Sequence, residues 1–157
     1  MKKVLCLMML FFGAISLVAG TTGGTVTVNG TAEQTCSITN SPALTLDFSG
    51  VSDATANFNV DIICNSGLNW TATIDGGGNP NGELRRAASG TDYITYRLYS
   101  DAGMTTELGA TTANTITGTA TGSTDTINVY AKVAMADNNP LPPAGTYSDT
   151  LNVTISW

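Results

Sequence analysis

The C-terminal residues 145–157 carry a period-two pattern that restricts this part of the chain to a β-strand. They read GTYSDTLNVTISW. The large apolar side chains occupy every second position, interrupted only by Asp149, and are Tyr147, Leu151, Val153, Ile155 and Trp157. Because successive side chains of a strand point to opposite faces, the pattern predicts one long strand with an apolar and a polar face. As the last strand of a sandwich, it would lie inside a sheet or leave an edge open to another chain.

Short alternating runs continue through the rest of the chain from about residue 25. Apolar side chains alternate at 44–48, 58–64, 70–74 and 127–135. The connecting segments are rich in Gly, Asn, Asp and Pro, as in DGGGNPNG and DNNPLPPAG. No window combines an apolar stripe at helical spacing with caps at both ends. Six or seven short strands of this kind predict a single all-β sandwich domain.

The first twenty residues have the composition of a secretory signal. Lys2 and Lys3 precede an apolar run at 4–18, and the small residues Ala19 and Gly20 follow it. The alternative is a membrane anchor, which would need about 20 apolar residues to cross a bilayer, whereas this run has 15. We therefore expect residues 1–20 to be a signal peptide and the mature chain to be exported.

Charge and histidine content argue against several functions. Without residues 1–20 the chain has four basic and twelve acidic residues, so it has little with which to neutralise a phosphate backbone, and we expect no nucleic-acid partner. It has no histidine, which excludes imidazole-based triads. The carboxylate pairs Asp75–Glu83 and Asp47–Asp61 lie in or beside turns, where acidic residues are ordinary. We expect no catalytic residue, no cofactor and no metal, and hence no enzyme.

The polar segment at 75–86 raises two ligand hypotheses. Its oxygen-rich turn superficially resembles a calcium loop, but it lacks the alternating acidic ladder of such loops, so turn chemistry is favoured. Arg85 and Arg86 follow the turn. They would either bind an anion or form a solvated pair, and the solvated pair is the commoner arrangement.

Two cysteines remain in the exported chain, Cys36 and Cys64, because Cys6 lies within the signal peptide. Two cysteines in an oxidising compartment most simply form one disulfide. A metal site is the alternative. It would need at least one further Cys or His ligand, and no histidine exists. We therefore expect the Cys36–Cys64 disulfide.

Residues 21–35 precede the first cysteine and admit two interpretations. After the flexible segment TTGG, a modest apolar face alternates with a polar one, and the apolar face is formed by Val26, Val28, Gly30 and Ala32. The segment is either the first strand of its own sandwich or a strand that completes the sheet of a neighbouring molecule. Alternation alone does not decide between them.

Several segments, taken in order, resemble the spore coat protein U domain, a family that includes subunits of archaic chaperone–usher pili. They are VDIICNSG, WTATIDGGG, SGTDYITYRLYSDAG and AGTYSDTLNVTISW. The resemblance extends from about residue 25 to residue 157. It implies an incomplete immunoglobulin-like sandwich of six strands, which lacks its last strand and is completed by a donor strand from another subunit.

The resemblance also implies a role for each part of the chain. Residues 21–34 would be the donor-strand segment and residues 35–157 the sandwich. The donor anchors would be Val26, Val28, Gly30 and Ala32, and the acceptor groove would be lined by Leu151, Val153 and Ile155. The implied function is a structural subunit of a pilus at the cell surface, with a role in adhesion and biofilm. Its partners would be homologous subunits in a homopolymer or mixed fibre, a periplasmic chaperone and an outer-membrane usher. The alternative is a tip adhesin or a spore or cell-envelope coat protein of the same fold.

Overall fold

A computed structural model describes residues 23–40, 42–111 and 115–157. The predicted signal peptide, residues 1–20, lies outside these ranges. The chain divides into two units, Met1–Ala32 and Glu33–Trp157. In the described ranges, no helix has the length and apolar character needed to cross a membrane.

The described part of the first unit, residues 23–32, has no assigned strand and is exposed at every position. Val26 and Val28 are 88% and 87% exposed. The alternation of apolar and polar residues in this sequence is therefore accompanied neither by burial of the apolar side chains nor by a ladder of backbone hydrogen bonds.

The second unit is all-β, as predicted. Its strands in the described residues are β1 (Cys36–Ile38), β2 (Ala54–Cys64), β3 (Asn69–Ile74), β4 (Arg85–Ser89), β5 (Asp92–Tyr99), β6 (Glu107–Leu108), β7 (Ile116–Thr119), β8 (Thr124–Val133) and β9 (Val153–Ser156). A single 3-10 turn spans Met135–Asp137. The strands outnumber the six of the implied sandwich because several short edge pieces, such as the two-residue β6, are assigned separately.

The strands form two antiparallel sheets. The larger has the order β1-β2-β8-β5-β4, with β6 also paired to β5, and the smaller has the order β7-β3-β9. The long strands β2 and β8 pair from Ala54 opposite Val133 to Ile63 opposite Thr124. This register is strongly specified, because a slip of one residue would turn every buried side chain of β2 outward.

The hydrophobic core lies between the two sheets. The larger sheet contributes fully buried side chains such as Ile62 and Val129, and the smaller contributes Trp70 and Ala72. A Cβ at Gly118 of β7 would collide with the Trp70 ring. Glycine is therefore required at that position for the indole to occupy the core.

Cys36 and Cys64 form the predicted disulfide. They face each other at the end of the β1–β2 ladder. Beside them the backbone N–H of Thr35 donates to the side-chain oxygen of Asn65 at 2.6 Å, and the Asn65 N–H donates to the Thr35 carbonyl at 3.2 Å. We call this the disulfide end of the sandwich. The opposite end of β2, beside residues 50–53, is called the loop end, and the 11 residues of β2 separate the two ends by about 33 Å.

Candidate functional site: an open groove between two unpaired walls

An open groove of about 920 Å³ follows one side of the sandwich. Residues 42–49 form its first wall, and residues 145–151 together with Val153 form its second wall. The side chains between the walls come from β2, β4, β5 and β8 and are Phe58, Ala87, Ile94, Tyr96 and Val133. The groove thus opens directly onto the hydrophobic core.

The first wall has the burial pattern of a strand but no strand partner among the described residues. Leu44, Leu46 and Phe48 are half-buried and pack against the core, while the residues between them are exposed. The backbone of 42–49 makes no hydrogen bond to any other described residue. A row of unpaired N–H and C=O groups along an extended segment is the surface to which an added strand bonds.

The second wall changes sheet along its length. Ser148 and Ala88 of β4 exchange two backbone hydrogen bonds of 2.9 and 3.0 Å at the edge of the larger sheet. From Val153 onward the chain pairs with β3 in the smaller sheet, as β9. Burial still alternates from Tyr147 to Ile155. The prediction of one continuous C-terminal strand is therefore wrong in its hydrogen bonding, because the chain crosses between sheets, although its alternation is correct.

Asp149, the residue that interrupts the apolar series, anchors this crossing. Its carboxylate accepts hydrogen bonds from the Tyr96 hydroxyl at 2.6 Å and from the Gly78 N–H at 2.7 Å. Gly77, with φ of 74°, lies so close to this carboxylate that any Cβ would collide with it. Burial, reinforced by the contact with Asp149, raises the pKa of Tyr96 well above its ordinary value. The tyrosine therefore stays protonated and acts as the donor.

Asp75 holds Asn152, which lies between the second-wall residues Leu151 and Val153. Its carboxylate accepts from the backbone N–H of Asn152 at 2.9 Å and from the side-chain amide at 2.6 Å, and its own N–H donates to the Asn152 carbonyl at 3.0 Å. Burial by itself would raise the pKa of Asp75, but the hydrogen bonds from Asn152 and Gly77 outweigh it and lower the pKa. An ionised Asp75 thus fastens the wall to the end of β3.

The Asp75–Glu83 pair and the calcium loop considered from the sequence gain no support from this arrangement. The Asp75 carboxylate contacts Asn152, whereas the Glu83 carboxylate accepts from the hydroxyl of Thr111. Across the described ranges, no group of three or more His, Cys, Asp or Glu side chains is placed to hold a metal ion.

Arg85 is buried, which overturns the solvated pair expected from the sequence. Only 1% of it is exposed. Its guanidinium donates to the backbone carbonyls of Ile74 and Asp75, both at 2.8 Å, of Gly109 at 3.1 Å, and of Leu108. Burial lowers the pKa of Arg85, but an arginine remains charged in proteins. The cation therefore ties the end of β3, to which the second wall is fastened, to residues 108–109.

Arg86 alone resembles the surface residue that the sequence predicts. It is half-buried, donates to the Asn79 carbonyl at 2.9 Å and lies over the Tyr93 ring at 4.2 Å. The two adjacent arginines thus point to different environments, so they do not form a joint anion site.

The predicted groove residues do not all line the groove. Leu151 and Val153 line it, whereas Ile155 lies opposite Ala72 in β3 and packs on the core. Trp157, placed on the same apolar face by the sequence, is 56% exposed. The sequence interpretation did not assign the first wall to the groove, because the run at 44–48 has the same alternation as an ordinary core strand.

These features define a class of protein: an immunoglobulin-like sandwich with an open groove where a strand could be added. The chain matches the family model of the Spore Coat Protein U domain over residues 22–154, and it belongs to that family. No curated protein matches it.

The fold is similar to that of a chain in one solved complex. This is the CsuC–CsuE chaperone–tip adhesion subunit pre-assembly complex from the archaic chaperone–usher Csu pili of Acinetobacter baumannii. The similarity has a TM-score of 0.60 and 16% identity, and covers 79% of this chain and 40% of that chain. Another match is to a chaperone–tip adhesin complex of CFA/I fimbriae, with a TM-score of 0.44, 16% identity, and coverage of 78% and 41%. The chain thus spans about 40% of the chain that it matches in the Csu complex, and at this identity the likeness concerns the fold alone.

Proposed function

We propose that the chain is a structural subunit of an extracellular pilus and that copies join by donor-strand exchange. Residues 25–32 of one copy would insert into the groove of the next. The observation that carries this proposal is the pair of groove walls: both alternate in burial, and neither pairs with a strand on the groove side within the described residues. One inserted strand would bond to both walls.

The size of the groove favours a strand over a helix as its occupant. The eight residues of 42–49 span about 26 Å when extended. With a strand spacing of about 4.8 Å and a sheet separation of about 10 Å, one strand of that length fills roughly 1,250 Å³. A helix about 10 Å wide and equally long would need roughly 2,000 Å³. The groove of about 920 Å³ is therefore closer to the size of a strand than to that of a helix.

The segment at 25–32 has the required length and side chains. It contains eight residues, and its apolar register holds only valine, glycine and alanine. Val26 and Val28 are almost fully exposed, so burying each in a groove would contribute about 1.5–3 kcal/mol. The anchors would be Val26, Val28, Gly30 and Ala32.

An open apolar groove beside unpaired backbone is an aggregation hazard before assembly. We propose that a periplasmic chaperone covers it after export and that an outer-membrane usher exchanges the chaperone for the next subunit. The fibre would then lie on the cell surface. This contact is head-to-tail and does not close, so it builds a filament.

The test compares two aspartate substitutions in adjacent positions of the arm. Val28→Asp places a charge in the apolar register, whereas the matched control Thr27→Asp places it in the polar register. Fibres of the full chain should give a heat-sensitive ladder of multimers on a denaturing gel. We expect Val28→Asp to abolish the ladder and Thr27→Asp to retain it.

A complementation experiment then tests both partners of the exchange. Leu151→Arg would block the groove while leaving the arm intact, and Val28→Asp would do the reverse. Neither variant should polymerise alone, but a mixture should form dimers and nothing longer. An undiminished ladder from Val28→Asp alone would overturn the donor assignment.

A further inference from the structure

Three exposed apolar side chains lie at the loop end of the sandwich. Val51, Leu141 and Met135 are 80%, 54% and 37% exposed. Contacts of residues adjacent to Val51 place the three near one another. A Cβ built on Gly50, which precedes Val51, would lie 3.2 Å from the Leu141 side chain, and the Met135 N–H donates to the side chain of Asp53 at 2.9 Å. We call Val51, Met135 and Leu141 the loop-end surface.

The loop-end surface is continuous with the groove. A second cavity of about 170 Å³ adjoins it and is lined by Leu141 and Pro142. This cavity shares Phe48, Ile94 and Tyr147 with the groove. An occupant that reached the loop end of the groove would therefore emerge beside the three exposed side chains.

The point at which the arm joins its own sandwich restricts where a donating copy must lie. Thr35 is bonded in both directions to Asn65 at the disulfide end. From Ala32 to Thr35 there are three residue steps, which span at most about 11 Å. Wherever Ala32 of an inserted arm lies in the groove, the disulfide end of the donating copy must lie within that distance.

The direction of insertion follows from the requirement that every copy both donates and accepts. The C-terminal segment runs from Tyr147 at the loop end, through the second wall, to Ser156 at the disulfide end. Ser156 lies opposite Thr71 near the start of β3. An arm inserted parallel to it would bring the donating copy to the acceptor's disulfide end, from which the acceptor's own arm departs. An antiparallel arm brings the donor to the loop end instead. In the antiparallel direction, each copy has the subunit that donates to it at its loop end and the subunit that accepts its arm at its disulfide end. In the parallel direction, both neighbours would lie at the disulfide end.

We propose that the loop-end surface of each subunit packs against the disulfide end of the subunit whose arm fills its groove. This inference rests on the proposed function and adds a second contact between successive copies. Three side chains are far fewer than the 20–30 residues a side of a stable independent interface. The inserted arm, however, holds the two surfaces at high effective concentration. The contact would therefore set the stiffness of the fibre, whereas the strand maintains its continuity.

Site-directed cross-linking tests the contact in fibres of the full chain. Leu141→Cys is combined with Ser66→Cys, an exposed position two residues beyond Cys64, and treated with a short bis-maleimide. Within one copy these positions lie at opposite ends of the sandwich, so a cross-link must join different copies. The control replaces Ser66→Cys by Asn57→Cys, which is exposed within β2, seven residues before Cys64.

We expect dimers and longer multimers that survive boiling from the Leu141/Ser66 pair and several-fold fewer from the control pair. A heat-sensitive ladder with equal cross-linking in both pairs would overturn this inference and leave the proposed function intact. Loss of the ladder in the unmodified chain would instead overturn the proposed function, and this inference with it.

Fibre stiffness provides an independent measurement. Val51→Asp places a charge in the loop-end surface, and Ser52→Asp adds the same charge at the next exposed position. Both variants should keep the ladder, but Val51→Asp should shorten the persistence length in electron micrographs at least two-fold relative to Ser52→Asp. Equal stiffness would contradict the proposed contact.

Discussion

Replacing Arg85 tests whether the cation beside β3 supports the second wall of the groove. The side chain is 1% exposed and donates to four backbone carbonyls from two separate segments. Arg85→Met keeps much of the volume but removes every donor. The carbonyls of residues 74, 75, 108 and 109 would then lose these partners inside the protein.

The expected loss of stability is large relative to the total. A buried acceptor left without a donor costs about 1–3 kcal/mol, and breaking one side of a buried charged network costs about 3–5 kcal/mol. We therefore expect Arg85→Met to lower the free energy of unfolding by about 4 kcal/mol, from a total of about 5–15 kcal/mol. Arg85→Lys keeps the charge but reaches fewer carbonyls, so we expect about half that loss.

Urea unfolding of the exported chain, followed by tryptophan fluorescence, measures the effect. With a slope of about 2 kcal/mol per molar urea, Arg85→Met should lower the midpoint by about 2 M and Arg85→Lys by about 1 M. Arg86→Met is the matched control. It loses one hydrogen bond and the contact over Tyr93, each worth about 1 kcal/mol or less. Equal midpoints for Arg85→Met and Arg86→Met would refute the reasoning. If Arg85→Met does not fold, the midpoint of Arg85→Lys is compared with that of the native chain instead, and no difference between them would refute it.

Three further predictions concern stability and use the same urea assay. The hydrogen bonds from Arg97 hold the pKa of Asp137 below its ordinary value of 3.8. The ionised carboxylate therefore stabilises the fold above pH 3.8, and this stabilisation is lost as the pH falls through the lowered pKa. The stability difference between the native chain and Asp137→Asn should therefore shrink below pH 3.8, and a constant difference would contradict this. Gly118→Ala should cost about 1–3 kcal/mol because the new methyl group meets the Trp70 ring, and a neutral effect would show that the ring can move. Replacing both disulfide cysteines by serine should cost about 3–4 kcal/mol for a sequence separation of 28, and an unchanged midpoint would contradict that value.

Alternation in the sequence was sufficient to predict the all-β class and the burial of the main strands. It works because one face of each strand meets the core, as in β2, where Phe58, Val60 and Ile62 are buried and the intervening residues are not. Alternation does not state which strands are neighbours. The C-terminal segment shows this limit, since its burial period continues from Tyr147 to Ile155 while its hydrogen bonds change from β4 to β3.

The groove could be predicted only in part for the same physical reason. Leu151 and Val153 follow from the pattern of the last strand together with the family resemblance. The first wall could not be predicted in this way, because nothing in the sequence of 42–49 indicates that its backbone has no hydrogen-bonding partner among the described residues. Arg85 was missed because adjacent arginines after a turn have no sequence feature that distinguishes a buried cation from a solvated one, and its acceptors are backbone groups.

The two walls differ in how they are restrained, and this predicts how insertion proceeds. Polar anchors hold the second wall without help from the groove side, through Asp149, Asp75 and the bridge at Ser148. In the described chain, no backbone hydrogen bond restrains residues 42–49. An arriving strand should therefore bond first to the restrained second wall and then order the first. Hydrogen exchange tests the difference in restraint from which this order follows. In the unpolymerised Val28→Asp variant, amides of 43–49 should exchange fast while the amides that bond β9 to β3 are protected, and in fibres both should be protected. Protection of 42–49 in that variant would mean that the first wall has a partner within its own chain, and the groove would then not need a strand from another copy.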